Sequence, residues 1–244
     1  MKSKVVYEVI RIINKKPLFL ESHIKRMENS FKLINMEFPM EYEKIKKKIF
    51  DKIDAENLDN ENIKLTYDVS EKKLDIFKID HYYPSDDMYK NGVKTILYFG
   101  ERENPNAKII NQNFRDKVTK EIEKNNAFEA VLIDRNGYIT EGSKSNMFMI
   151  KGEKILTSPV KAVLPGVTRD EIIKAVKKAG LNVKEVEYSY KDIEKLDAMF
   201  ISGTSPKVLP INELGDKKFD VNNSVLRKVI KAYDNAINTY LSNN

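Results

Sequence analysis

The sequence predicts a two-domain α+β protein, with a small α+β domain over residues 1–92 and a larger, β-rich domain over residues 93–244. The first part mixes strand-like runs with helix-like periodicity, whereas the later part contains many short apolar strands separated by turns. A polar stretch and a loop separate these two patterns. The length of 244 residues is sufficient for two domains and a buried site.

The predicted small domain begins with a strand at Val5–Ile13, which is rich in β-branched and aromatic residues. Two amphipathic helices follow, the first within Glu21–Met36 and the second around Ile45–Ile53. In both segments apolar residues recur every three or four positions, which indicates one buried helix face. Two further strands are predicted at Ile63–Val69 and Leu74–Ile79.

The predicted larger domain opens with a strand at Val93–Phe99, and the following loop, Gly100–Lys108, is expected to connect the domains. Asn136-Gly137 lies between apolar runs, which is the strongest short hairpin signal. A helix is predicted at Thr168–Ala179, with Thr168 as its N-cap and Gly180 just past its end. The other predicted elements are a helix at 112–124, strands at Phe128–Asp134, Tyr138–Thr140, Asn146–Lys151, Lys154–Thr157, Val183–Tyr188 and Met199–Ser202, and a closing helix at Val221–Leu241.

Composition excludes several classes of site. The net charge is +6, but the 36 lysines and seven arginines are dispersed among 37 acidic residues, which favours a solvated surface over nucleic-acid binding. The absence of cysteine excludes disulfides, thiolate nucleophiles and iron–sulfur clusters, and two histidines are too few for a histidine-rich metal centre. No apolar run approaches the length of a membrane span and no signal peptide is recognisable, so we expect a cytoplasmic protein.

Two glycine-containing segments are suited to binding an anion or a ligand. In Leu164–Asp170, a glycine turn precedes the predicted helix, so the amides of Val167 and Thr168 are available to a phosphate. Ser202–Pro206 ends an apolar strand with small residues that let a ligand approach the backbone and that supply hydroxyl donors. Taken alone, each segment is more typical of an ordinary turn.

Three charged residues are further candidates. Glu141 lies between two predicted strands, where a carboxylate is suited to hold a cationic ring nitrogen. Lys108 precedes the apolar pair Ile109–Ile110, which would bury its stem and favour a Schiff base. Arg26 lies beside the apolar stripe of the first helix, so we expect it to be half-buried. Each has an ordinary alternative. Glu141 could lie in a solvated turn, Lys108 could be one surface lysine among many, and Arg26 could be a surface arginine.

The order of these segments resembles the class IV aminotransferases. These fold-type IV enzymes bind pyridoxal 5′-phosphate (PLP) and include branched-chain and D-amino acid aminotransferases and aminodeoxychorismate lyase. The resemblance extends from about Val6 to Leu214, and ITEGSKSNMF followed by LPGVTRD is its most specific part. The segments that carry it are YEVIRIINKKPLFLESHIKRM, AKIIN, EAVLIDRNGYITEGSKSNMFMI, LPGVTRDEII and MFISGTSPKVLPI.

The resemblance implies a role for each candidate. Lys108 would form the Schiff base with PLP, and Glu141 would pair with the protonated ring nitrogen. The implied phosphate ligands are Arg26, the backbone amides of Val167 and Thr168, and Thr204. The implied substrate contacts are Tyr7, Gly203 and Ser205.

The implied activity is amino transfer between an amino acid and a 2-oxo acid, by a homodimer without nucleic-acid or membrane partners. Aminodeoxychorismate lyase, which eliminates pyruvate with the same cofactor, and a PLP-binding homologue with weak turnover are the alternatives. Two departures from the family pattern are visible. Relatives carry a further segment before V-Y/F-E, where this sequence has only Met1–Val5. No arginine lies between Lys64 and His81, which weakens assignment to the D-amino acid aminotransferases.

Overall fold

A computed structural model describes residues 5–80, 82–102, 105–108 and 112–244. The chain divides into two compact units, the first containing residues 1–82, 107–110 and 237–244, and the second residues 83–106 and 111–236. His81 and the apolar pair Ile109–Ile110 lie outside the described residues. The domain boundary predicted between residues 92 and 93 stays a prediction, while the chain first changes unit between Tyr82 and Tyr83.

The first unit combines a four-stranded antiparallel sheet with two helices. The strands have the spatial order β2-β1-β3-β4. The elements are β1 (Val5–Ile13), β2 (Lys16–Pro17), α1 (Leu20–Leu33), α2 (Tyr42–Ala55), β3 (Asn62–Asp68) and β4 (Lys73–Ile79). Each predicted element of this part of the chain is therefore present, with bounds shifted by a few residues.

The two faces of this sheet carry different side chains. Ile10 of β1 packs in one apolar cluster with Ile24 of α1 and Ile49 of α2, so this face is covered by the helices. Because side chains alternate along a strand, Tyr7 lies on the opposite face. Lys64 of β3 lies on that face too, since its ammonium contacts the Tyr7 ring.

The second unit is built on a larger sheet. Within the described residues the strand order is β10-β9-β8-β12-β13-β5-β6-β7-β11, and pairing of β7 with β8 closes a ring of six strands. Its elements are α3 (Asp86–Asn91), β5 (Val93–Phe99), α4 (Gln112–Lys124), β6 (Glu129–Ile133), β7 (Tyr138–Gly142), β8 (Asn146–Lys151), β9 (Lys154–Thr157), α5 (Val167–Lys178), β10 (Asn182–Glu185), β11 (Tyr188–Ser189), β12 (Ala198–Gly203), β13 (Lys207–Leu214), β14 (Lys217–Lys218) and most of α6 (Ser224–Asn243).

The end of α6 belongs to the first unit, where it contacts the beginning of α1. The Tyr240 hydroxyl accepts a hydrogen bond from the Leu20 amide at 3.1 Å and donates to Glu21 at 2.8 Å. The Lys16 ammonium donates to the carbonyl of Leu241 at 2.7 Å. The Tyr240 hydroxyl thus satisfies an amide at the N-terminus of α1, which has no side-chain cap of its own, and Lys16 satisfies a carbonyl at the C-terminal end of α6.

The predicted α+β fold is confirmed, but two details of it are wrong. The strand predicted at Val183–Tyr188 is two strands, β10, which pairs with β9, and β11, which pairs with β7. Helix α5 begins at Val167 with Gly166 as its extended N-cap residue and no side-chain cap, so Thr168 is not the N-cap but a residue of the first helical turn. Helix α3 and strand β13 were not predicted. Within the described residues, no helix has both the length and the apolar composition needed to cross a membrane.

Candidate active site

The first unit holds the backbone of Lys108 between a strand and a helix. The Lys108 carbonyl accepts a hydrogen bond from the Tyr7 amide of β1 at 3.3 Å. The Lys108 amide donates to Ser30 Oγ of α1, also at 3.3 Å, and the Ser30 hydroxyl donates to the carbonyl of Arg26 at 3.0 Å. Two elements distant in sequence therefore fix the position of this lysine.

The Tyr7 ring lies near two ammonium groups. The distance from its centroid is 4.8 Å to Nζ of Lys108 and 5.3 Å to Nζ of Lys64. Both distances allow attraction between a cation and an aromatic ring. The ring of Tyr7 is buried, so it forms part of the ordered surroundings of the Lys108 amine.

Arg26 is buried rather than half-buried as expected, with 7% of the residue exposed. Its guanidinium donates through Nε to Glu8 Oε1 at 2.8 Å and through Nη2 to Glu8 Oε2. His23 Nδ1 lies 2.8 Å from Glu8 Oε2, so this carboxylate has two side-chain partners on α1. All three side chains are buried in the first unit.

The charges of this cluster follow from its contacts. Burial alone would raise the pKa of Glu8, but Arg26 and His23 outweigh it and lower the pKa to about 2. Burial lowers the pKa of His23, so the imidazole is neutral at pH 7. Because an ionised carboxylate only accepts hydrogen bonds, neutral His23 donates to Glu8 through Nδ1–H.

In the second unit, Glu141 lies on β7 and is buried, with 3% of the residue exposed. Its Oε2 accepts a hydrogen bond from the Leu164 amide at 3.0 Å, and its Oε1 accepts one from Arg102 Nη1 at 3.3 Å. The carboxylate is therefore oriented by one donor on each oxygen.

The turn after Glu141 is organised by a second buried acid. Glu129 at the start of β6 accepts hydrogen bonds from the hydroxyls of Ser143 and Ser145 and from the amide of Lys144. The serines of the EGSKSN segment thus have a partner within the protein. A carboxylate saturated with local donors fixes the course of the backbone between β7 and β8.

The beginning of α5 is shaped by Asn146. Its side-chain amide donates to the carbonyl of Leu164 at 2.9 Å, and a Cβ added to Gly166 would overlap its Oδ1. Only glycine therefore fits before the helix, and the amides of Val167 and Thr168 follow without a side-chain cap. This arrangement is suited to an anion.

Strand β12 ends in the small residues predicted to contact a ligand. The Ser202 hydroxyl is buried and has no hydrogen-bond partner among the described residues. Gly203 is in close contact with the Pro206 ring, since an added Cβ would lie 3.3 Å from it. Ser205 is also buried.

Several residues of the site were not found from the sequence. Glu8 had a usable signal, because it occupies the apolar phase of β1 together with Val6 and Ile10. The contributions of Ser30, Arg102, Glu129 and Asn146 had no comparable local signal, since each depends on partners far along the chain.

Comparisons with known proteins agree on one family. The model of the amino-transferase class IV family matches residues 5–214. A Methanocaldococcus jannaschii protein named as a branched-chain-amino-acid aminotransferase is 29% identical over 93% of this chain and 83% of its own length.

Two solved structures resemble this one at identities that show the fold alone. A Legionella pneumophila protein named as a 4-amino-4-deoxychorismate lyase has a TM-score of 0.86 and 22% identity, covering 96% of this chain and 91% of that chain. A Mycobacterium tuberculosis aminotransferase in a PLP-bound form has a TM-score of 0.83 and 15% identity, covering 98% of this chain and 90% of that chain.

Proposed function

The chain belongs to the class IV aminotransferase family, and on that premise we propose that it moves an amino group between an amino acid and a 2-oxo acid, with PLP bound covalently to Lys108. The observation that carries the proposal is the position of Lys108. Its backbone is hydrogen-bonded to Tyr7 and to Ser30, and Ser30 is hydrogen-bonded to the backbone of Arg26. The first unit therefore holds both the amine of Lys108 and the buried guanidinium of Arg26.

The donor set fits this cofactor. The second unit supplies the buried Glu141 carboxylate, which is suited to a protonated ring nitrogen. It also supplies uncapped amides at the start of α5, behind Gly166, where even a methyl group would overlap Asn146. A backbone without side-chain bulk is what a phosphate group requires.

The residues divide the work of amino transfer. Bound PLP would supply an electrophilic carbon for the substrate amine and a ring that accepts an electron pair. Lys108 would hold the cofactor through that carbon, and its amine, freed when the substrate amine takes its place, would be the base that moves the proton at the substrate Cα. Glu141 would accept a hydrogen bond from the ring nitrogen, and Leu164 and Arg102 orient its carboxylate.

The phosphate ligands in this proposal are Arg26, the amides of Val167 and Thr168, and the Thr204 hydroxyl. Arg26 supplies a charged donor, and the other groups supply neutral donors that add little bulk. Tyr7 lines the substrate pocket from β1. Gly203 and Ser205 contribute the segment that meets the substrate carboxylate.

We also propose that the protein forms a homodimer and acts in the cytoplasm. Static light scattering of the purified holoenzyme tests the oligomeric state, and a molar mass of one chain would contradict it. The partners in this view are small-molecule substrates, an amino acid and a 2-oxo acid.

The decisive experiment is a half-reaction assay with a panel of L- and D-amino acids. We expect the visible absorbance of the PLP-loaded protein to bleach with at least one donor and to return with a 2-oxo acid. Borohydride reduction and peptide mapping should place the pyridoxyl group on Lys108. Lys108→Ala should lose both results, whereas the control Lys117→Ala, an exposed lysine on α4, should retain them.

The same assay distinguishes amino transfer from the lyase alternative. Release of pyruvate from aminodeoxychorismate, without bleaching by amino acids, would assign the protein to the lyases. Binding of PLP without either reaction would identify a homologue with weak turnover. An adduct on Lys144 or Lys117 would contradict the assignment of Lys108.

A further inference from the structure

Glu8 is a buried charge that the proposed reaction leaves without a task. It occupies the apolar phase of β1, and its side chain is fully buried. Its pKa of about 2 keeps it ionised at every pH at which enzymes of this kind work. It therefore has no proton to donate near neutral pH and is a weak base.

The contacts of Glu8 are directed at one side chain. Two parallel hydrogen bonds join its carboxylate to the Nε–Nη2 edge of Arg26. A planar guanidinium held along one edge cannot rotate, so its remaining N–H groups point in a fixed direction. His23 adds a third hydrogen bond, which fixes the carboxylate itself.

The backbone of Arg26 is held as well. Ser30 donates to the Arg26 carbonyl at 3.0 Å and accepts from the Lys108 amide at 3.3 Å. The guanidinium is thus fixed relative to the segment that carries the lysine.

Stability alone is a poor reason for this cluster. Burying a carboxylate and a guanidinium removes both from water, and their attraction often does no more than offset that loss. Well-packed apolar side chains at the same positions would be equally stabilising. Orientation of the guanidinium is what an apolar replacement could not supply.

We propose that Glu8 is a positioning residue, which aligns the Arg26 guanidinium to receive the phosphate group of the cofactor. The proposal rests on the proposed function, because it takes Arg26 as a phosphate ligand. It predicts that Glu8 contributes to the affinity for the phosphate group and not to the affinity for the rest of the cofactor.

The test compares PLP with pyridoxal, which lacks the phosphate, by equilibrium dialysis against the apoprotein. The wild-type protein should prefer PLP strongly. Glu8→Gln should weaken PLP binding by about tenfold, the size expected for loss of a charge-assisted contact, and leave pyridoxal binding within about twofold. A merely structural role would weaken both ligands alike.

Three further variants complete the design. In an Arg26→Gln background, Glu8→Gln should cause no further loss, since it acts only through Arg26. Glu61→Gln, which changes a half-buried carboxylate paired with Lys78 in the same unit, should leave both affinities unchanged. If Glu8→Gln does not fold, Glu8→Asp keeps the charge, shortens the reach and should show the same loss of phosphate preference.

The outcomes separate the two proposals. If the wild-type protein binds PLP no better than pyridoxal, the phosphate assignment within the proposed function fails. If Arg26→Gln abolishes the preference but Glu8→Gln preserves it, the positioning role of Glu8 is wrong. A loss from Glu8→Gln that persists undiminished in the Arg26→Gln background would also overturn it.

Discussion

Nζ of Lys108 lies 4.8 Å from the centroid of the Tyr7 ring, and the Tyr7 amide also donates to the Lys108 carbonyl at 3.3 Å. One residue of β1 therefore contacts both ends of the lysine. The backbone contact depends on the strand, whereas the ring contact depends on the side chain. The two contributions are separable by substitution.

Replacing the Tyr7 ring should impair the proposed reaction more than removing its hydroxyl. Tyr7→Phe keeps the contact between ring and ammonium, so we expect kcat/KM to fall by no more than about threefold. Tyr7→Leu removes a contact of about 1 kcal/mol and the wall of the pocket, so a loss of at least about tenfold is expected. Steady-state kinetics of both variants test this, and equal losses would show that the hydroxyl is the important group.

Glu141→Gln should lower kcat by about two orders of magnitude, because a neutral amide no longer favours a protonated ring nitrogen. The affinity for PLP should fall much less, since the covalent and phosphate contacts remain. Glu213→Gln is a suitable control, because Glu213 is a glutamate of the same unit that pairs with the surface lysines Lys94 and Lys218. Unchanged kcat in Glu141→Gln would contradict the assignment.

Arg26→Ala should raise the dissociation constant of PLP by more than about tenfold, and Thr204→Ala should raise it by less, because a charged donor is stronger than a hydroxyl. The structure refines the reason. Arg26 is paired with Glu8, so its value lies in aimed hydrogen bonds more than in an isolated positive charge. Equilibrium dialysis gives both constants, and equal effects would show that Arg26 does not contact the phosphate.

Gly166→Ala should lower PLP affinity, since its methyl group would overlap the Asn146 side chain and displace the start of α5. Gly180→Ala, at the other end of α5, is the control, because it should change stability and not PLP binding. A Cβ added to Gly180 would meet no non-local atom of the described residues within 4 Å, but Gly180 has a φ of +76°, so alanine there should cost about 1 kcal/mol of stability and leave PLP binding intact. Thermal unfolding and dialysis together distinguish the two. Normal PLP binding by Gly166→Ala would exclude this turn from the site.

Acid should destabilise the first unit in two stages. The pKa of His23 is lowered by burial, so unfolding takes up a proton and the free energy of unfolding falls as the pH drops below about 6.5. The pKa of Glu8 is lowered from 4.5 to about 2, so a further loss of about 3 kcal/mol is expected across that interval.

Denaturant titrations at a series of pH values check both stages. Relative to the wild type, His23→Gln should flatten the upper part of the profile, and Glu8→Gln the lower part. Profiles that keep the wild-type slope in both variants would show that neither group titrates on unfolding.

The fold was predictable because its signals are local. The β-branched and aromatic residues of Val5–Ile13, the helical spacing of Ile45, Ile49 and Ile53, and the Asn136-Gly137 turn each specify an element from a few neighbouring residues. The N-cap of α5 was misplaced because Thr168 has the residue type of a cap. The bulk of Asn146, eighteen residues or more away in sequence, decides that glycine precedes the helix.

The roles of the candidate site residues come mainly from a family pattern and stay predictions. The local signals, an apolar pair after Lys108 and a position between strands for Glu141, are weak among many lysines and acids. The surroundings of both residues depend on contacts over long sequence separations, such as Lys108 with Ser30 and Glu141 with Arg102. Glu8 is the exception, because a charge in the apolar phase of a strand requires a buried partner.

The bond between the Leu20 amide and the Tyr240 hydroxyl joins residues 220 positions apart. A ribosome releases β1 and α1 before the residues around Tyr240, so the beginning of α1 waits for its partners while the intervening residues are made. During that interval the nascent first unit exposes the helix end that precedes His23 and Arg26. The order of synthesis therefore delays completion of the contacts at the start of α1. A stalled chain that lacks residues 237–244 should be cleaved by protease near α1 much faster than a chain that includes them.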